Sequence, residues 1–173
     1  RMEEIPYDEY TDLAVLTVET FTAKRAYEIA ESYRNKGVKT LMGGMHAMLI
    51  PSEVQEYCDS IIVGDAEPVW EEMIEDLRVG KLKKKYEGEQ HLIPQKNIIT
   101  RRDIFEGKGY LPITLIQFSR GCRYRCNFCA SSAYFKNRHF CRRVEDVVTE
   151  IKSQKRKLIF FVDDNITADF QKA

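Results

Sequence analysis

Three thiols fall within eight positions of this chain, in the run Gly121-Cys122-Arg123-Tyr124-Arg125-Cys126-Asn127-Phe128-Cys129. Thiolates are soft ligands that hold iron–sulfur clusters or zinc. The spacing C-x3-C-x2-C gathers three of them in one loop, with no fourth cysteine inside it. Three cysteines on a [4Fe–4S] cube leave one iron open to bind and activate something else. Zinc is the competing reading, because His139 or Cys141 stands ten to twelve residues further on and can supply a fourth ligand. Zinc sites usually come as two C-x2-C pairs, or as one such pair with a paired His motif. This chain has no second pair. Disulfides fit poorly: the five cysteines are an odd number, and nothing marks a secreted protein.

At 173 residues with 43% hydrophobic and 11% aromatic content, the chain can bury a core as one domain or as parts of two. No apolar run approaches the roughly 20 residues that span a bilayer. The acidic start Arg1-Met2-Glu3-Glu4 is unlike a signal peptide. A cytoplasmic, reducing location is the expectation. The net charge of zero hides an asymmetry. Residues 1–80 hold seven Lys/Arg against seventeen Asp/Glu, whereas residues 101–143 hold ten against two. Such a basic segment can signal nucleic-acid binding. Here Arg120, Arg123 and Arg125 flank the cysteines, where positive charge favours thiolates and offsets an anionic cluster. That local explanation suffices, and nucleic acid is not needed to account for the basic residues.

Apolar, β-branched runs alternate with helical stripes. Leu13–Val18, Val38–Met42 and Ser60–Gly64 read as strands buried on both faces. Thr20 or Thr22 caps a helix carrying Ala26, Ile29, Ala30 and Tyr33. Pro51 opens a short helix to about Tyr57, and Pro68 one with Val69, Trp70, Met73, Ile74 and Leu77 inward, stopped by Gly80. Alternation of this kind predicts a partial, Rossmann-like, doubly wound parallel sheet over residues 1–86. The Lys-, Gly- and Pro-punctuated sequence that follows predicts a connector over 87–112. The rhythm then restarts over 113–173, with a strand Ile113–Phe118 running into the cysteines. A helix from Val144 to about Lys155 and a strand Leu158–Val162 follow, ending in Asp163-Asp164-Asn165. This second sheet needs more strands than the chain contains, so the sequence reads as a fragment, truncated at the C-terminus and at the N-terminus and inactive by itself.

The cysteine spacing, with the aromatic Phe128 just before the third thiol, resembles the signature of the radical S-adenosylmethionine (SAM) superfamily. The segments Thr22–Glu28, Gly43-Gly44-Met45-His46 and Val63–Pro68, followed by Ser119-Arg120-Gly121-Cys122, resemble the members that carry an N-terminal cobalamin-binding domain. This resemblance implies an α/β architecture: a Rossmann-like cobalamin domain, then the first βα units of a partial (βα)6, TIM-like radical SAM barrel, with the cysteine loop at the barrel's C-terminal edge. It implies that Cys122, Cys126 and Cys129 hold a [4Fe–4S] cluster whose open iron binds SAM. Phe128 then lies beside the adenine, or else packs under the loop. Asp163 and Asp164 lie near the SAM amino group, or else cap the loop. Gly43 and Gly44 let the backbone approach a cobalamin tail, or else form a tight turn. The implied activity is reductive cleavage of SAM to a 5′-deoxyadenosyl radical, and, with cobalamin bound, methyl transfer. The implied partners are a small-molecule substrate and a reductant such as flavodoxin or ferredoxin. The D-x-H-x-x-G motif that brings a histidine to cobalt is absent; His46 and His91 lack that context. A zinc-stabilised nucleic-acid-binding module and a non-catalytic corrinoid or cluster sensor are the alternatives.

Overall fold

The computed structural model describes residues 4–89 and 100–171. They form two compact units, one on either side of residues 90–99. Part of the expected connector over 87–112, and His91 with it, lies outside the described residues.

In the first unit β1 (Leu13–Thr17), α1 (Ala23–Asn35), β2 (Lys39–Gly43), α2 (Met45–Leu49), α3 (Pro51–Glu56), β3 (Ser60–Val63), α4 (Trp70–Arg78) and β4 (Lys85–Glu87) follow one another. The strands form one parallel sheet in the order β1-β2-β3-β4. Both faces of its centre are covered, because successive strand residues point to opposite sides. Met42 and Ile61 pack with Ala26 and Ala30 of α1, Ala47 of α2 and Val54 of α3. Leu41 and Ile62 pack with Val69, Met73 and Tyr86. That is why β2 and β3 read as unbroken apolar runs. Asp59, just before β3, ties it to β2: its carboxylate accepts from the backbone N–H and the hydroxyl of Thr40, each at 3.0 Å, and from Lys39 Nζ. Burial opposes ionisation of Asp59, but the Lys39 and Thr40 hydrogen bonds outweigh it and hold the carboxyl below its ordinary range.

Three elements differ from the sequence reading. Helix α2 is unexpected, because its five residues are too few for a periodic signal. Helix α4 begins at Trp70, two residues after Pro68, and leaves Trp70 partly exposed instead of on the buried stripe. Strand β4 arises in a Lys-rich stretch, held by the single buried side chain of Tyr86, whose hydroxyl donates to Asp76 at 2.8 Å.

The second unit contains β5 (Ile113–Ile116), β6 (Ser119–Gly121), α5 (Ala130–Tyr134), β7 (His139–Cys141), α6 (Val144–Lys152) and β8 (Leu158–Phe161). Strands β5 and β8 pair in parallel, from Ile113 opposite Leu158 to Ile116 opposite Phe161. Helix α6 ends three residues before the expected Lys155 and packs Val147 and Ile151 on Ile116 and Phe118. The sequence pattern ran straight from strand to cysteines. The structure instead turns the chain through β6, which pairs antiparallel with β7. Glu150 of α6 receives Arg102 at 2.6 Å and Arg142 at 2.7 Å, and these guanidinium groups also bond the carbonyls of Leu115 and Gln117. The result is an α/β protein with a Rossmann-like parallel sheet followed by a βα unit, as the alternation predicts. Among the described residues no helix is long and apolar enough to cross a membrane.

Two predictions follow from this packing. Gly44 has φ +94° and ψ −177°, a region open essentially to glycine, and a Cβ there would lie 2.9 Å from the backbone of Val18. Gly44→Ala should therefore destabilise the first unit by about 2–3 kcal/mol; a thermal melt superimposable on the parent would refute the fit. The second prediction concerns acid. Burial alone would raise the Glu150 pKa, but Arg102 and Arg142 outweigh it and lower it from the ordinary 4.5. A lowered carboxylate contributes stability above 4.5 that is lost as pH falls through the folded-state value. Glu150→Gln should cost about 2 kcal/mol at pH 7 and flatten the decline in stability below the ordinary glutamate range. Equal slopes in urea titrations of the two proteins would count against the triad.

Candidate metal centre

The cysteine loop follows β6, beyond the end of β5, and is gripped by the residues just after β8. Asp163 accepts from the backbone N–H of Phe118 at 3.1 Å through one oxygen, and from the N–H and hydroxyl of Ser119 through the other. Asp164 accepts from Gly121 N at 2.8 Å and from the Ser131 hydroxyl. One carboxylate therefore reaches the residue before Cys122 and the second residue after Cys129. Asn165 follows, with its amide donating to Cys122 Sγ at 3.6 Å. Gly121 has φ +81°, and a Cβ there would meet Arg138 O at 2.3 Å and the Phe135 ring, so only glycine can precede Cys122.

All three loop thiols are free; Cys122 and Cys129 are half-buried and Cys126 is exposed. Cys129 immediately precedes α5, and the N–H and hydroxyl of Ser132, with a smaller contribution from Ser131, draw its thiol below the ordinary value. The Ser132 hydroxyl also donates to Tyr124 O at 2.9 Å, closing the loop upon itself. Arg123 pairs with the buried Asp169 at 2.6 Å. Phe128 is 88% exposed, so it does not pack beneath the loop. A set of three accessible thiols, one already eased toward thiolate, suits a soft, multi-iron cluster.

The residues named for a zinc alternative also come together. His139, Cys141 and Asp169 place one ligand atom each within 4.8 Å of the others, with His139 Nδ1 3.6 Å from Cys141 Sγ. Cys122, Cys126 and Cys129 do not belong to this group. The Arg123 guanidinium already holds Asp169. Burial first, and Arg123 second, hold His139 below its ordinary pKa. His139 Nε2 is buried without a hydrogen-bond partner among the described residues.

In the first unit Gly43 and Gly44 end β2. The left-handed turn of Gly44 is required by the chain itself, since it nests against Val18, whereas a Cβ on Gly43 would meet only Ile62, at ordinary contact distance. His46 is 3% exposed, with Nδ1 3.2 Å from the Thr20 hydroxyl and Nε2 3.1 Å from the Tyr27 hydroxyl. Both ring nitrogens are committed, so His46 is no metal ligand. Beside it, at the C-terminal end of β1, Thr20 and Phe21 are exposed. Sequence reasoning missed Asn165, Ser131, Ser132 and Asp169. Of these only Asn165 carried a signal, as the continuation of Asp163-Asp164.

No family model matches the chain. Over 155 residues it is 30% identical to the bacteriochlorophyllide d C-8(2)-methyltransferase of Chlorobaculum tepidum, covering 83% of this chain and 33% of that enzyme. Over 167 residues it is 30% identical to the bacteriochlorophyllide d C-12(1)-methyltransferase of the same organism, covering 90% of this chain and 36% of that enzyme. The chain thus spans about a third of the length of the curated relatives it matches. Among solved structures, its fold matches the radical S-adenosylmethionine methyltransferase TsrM from Kitasatospora setae with cobalamin and a [4Fe–4S] cluster bound. The TM-score is 0.69 at 16% identity, over 97% of this chain and 41% of that one. The chain is therefore similar in sequence to methyltransferases and shares the fold of a radical SAM methyltransferase.

The grip on the loop is directly testable. Asp163→Ala removes the acceptor from three donors and should cost about 2–3 kcal/mol. It should also speed amide exchange at Phe118 and Ser119, while that of the α1 amides stays as in the parent. Unchanged exchange at these two amides would show that the carboxylate does not hold them.

Proposed function

We propose that this chain carries the cofactor-binding part of a cobalamin-dependent radical SAM methyltransferase. The observation that carries the reading is the cysteine loop tied at both ends by Asp163 and Asp164, consecutive carboxylates just after β8. Methyltransferase relatives at 30% identity and the fold shared with TsrM support it. In this reading Cys122, Cys126 and Cys129 hold a [4Fe–4S] cluster, and Gly43 and Gly44 border a cobalamin site in the first unit. When bound, the cluster supplies an open iron for SAM and the electron that cleaves it; cobalamin supplies the methyl carrier.

The remaining work belongs to the protein. Ser131 and Ser132 ease Cys129 toward the thiolate form that ligation requires. Asn165 donates to Cys122 Sγ, and with a cluster bound this hydrogen bond would draw electron density from that sulfur and raise the cluster's potential. Arg123 and Arg125 place positive charge beside an anionic centre. Phe128, exposed next to Cys129, offers an aromatic face on which an adenine can stack. Asp163 and Asp164 hold the loop's backbone, and contact of either with the SAM amino group adds to that role. A reductant of the flavodoxin or ferredoxin type delivers the electron.

The test is metal and sulfide analysis of the anaerobically purified full-length parent. About four irons and four sulfides per chain, lost in the Cys122/Cys126/Cys129 triple-alanine variant, is the expected result. Cys126→Ala should abolish deoxyadenosine production from SAM. One zinc without sulfide, or deoxyadenosine production surviving in Cys126→Ala, would overturn the proposal.

A further inference from the structure

The buried histidine of the first unit fixes the polarity of an exposed hydroxyl. Tyr27 donates its one phenolic proton to Glu53 Oε1 at 2.9 Å, and a glutamate carboxylate only accepts. Burial, reinforced by Glu53, raises the Tyr27 pKa, so the phenol keeps that proton. Tyr27 Oη, 3.1 Å from His46 Nε2, is then left only to accept, which places the imidazole proton on Nε2. A neutral imidazole protonated at Nε2 bears a lone pair on Nδ1. With the ring neutral, the Thr20 hydroxyl, 3.2 Å from Nδ1, donates to it and keeps its own lone pairs for other donors.

Thr20 lies in the 3-10 turn Thr20–Thr22 after β1, on the C-terminal edge of the parallel sheet, where α/β folds take ligands. Its neighbours in that turn are Phe21, 88% exposed, and Glu19. An acceptor beside a carboxylate and an aromatic ring favours N–H donors. We propose that Thr20 is a specificity-determining hydrogen-bond acceptor, held in that polarity by the chain His46–Tyr27–Glu53, for a primary amide on the rim of a corrinoid. The inference rests on the cobalamin reading given above. His46, Tyr27 and Glu53 are positioning residues; only Thr20 touches the ligand.

Two corrinoid probes separate the outcomes in the full-length parent. Dicyanocobinamide carries primary amides around its ring; the heptamethyl ester of dicyanocobyrinic acid has acceptors only. Equilibrium titration followed by absorbance should show Thr20→Val weakening the amide probe about three- to tenfold, the effect of one neutral hydrogen bond, with the ester unchanged. Thr20→Ser should bind both probes like the parent. Tyr27→Phe, which leaves only the Glu53 carboxylate, 3.5 Å away, beside His46 Nε2, should lose part of the preference for the amide probe while its affinity for the ester holds or rises. An equal loss on both probes in Thr20→Val would reduce Thr20 to a structural residue and overturn the inference alone. Failure of the parent to bind either probe would overturn the cobalamin reading and this inference with it.

Discussion

The second unit depends on the two carboxylates at the end of β8. A loop of three thiols has no regular hydrogen bonding of its own, and its backbone donors have to be met by something else. Asp163 meets those of Phe118 and Ser119, and Asp164 that of Gly121 and the hydroxyl of Ser131. Because β8 pairs in parallel with β5, these acceptors arrive at the level where the loop begins. Remove that pairing and the cysteines lose their frame, however well their spacing suits a cluster. Charged acceptors do this better than neutral ones, since each hydrogen bond to an ionised group is worth more.

Around this grip the charges are arranged in layers. Glu150 collects Arg102 and Arg142, and these hold the carbonyls at the end of β5, so the strand that feeds the loop is pinned from the side of α6. Arg123 reaches Asp169 and keeps the loop's first half down. Arg102, Arg123 and Arg142 of the basic segment 101–143 are thus paired within the unit. His139, Cys141 and Asp169 are potential metal ligands by type, and the Asp169 carboxylate is held by the Arg123 guanidinium.

The first unit is organised by its strand ends. Gly44 nests against Val18, which fixes where α2 begins and buries His46 against Thr20 and Tyr27. Strand character was legible where a strand is buried on both faces, as in Leu41-Met42 and Ile61-Ile62, because both neighbours must then be apolar. It was illegible for β4, which depends on Tyr86 alone, and for β6 and β7. There, short antiparallel pairing of Ser119–Gly121 with His139–Cys141 leaves no pattern of period two.

What the sequence alone determined is local: the spacing of Cys122, Cys126 and Cys129, the alternation of apolar runs with helical stripes, and the glycines where the backbone must turn left-handed. Each of these is set by neighbours a few residues away, so each is written in order along the chain. Tertiary structure decided the rest. It placed Asp163 on the backbone of residues 44 and 45 positions earlier, gave Cys122 an amide from Asn165, and brought His46 and Glu53 to the Tyr27 hydroxyl. Those contacts join side chains brought together only by parallel crossovers, and a hydrogen bond has no sequence signature when its partner stands on another strand.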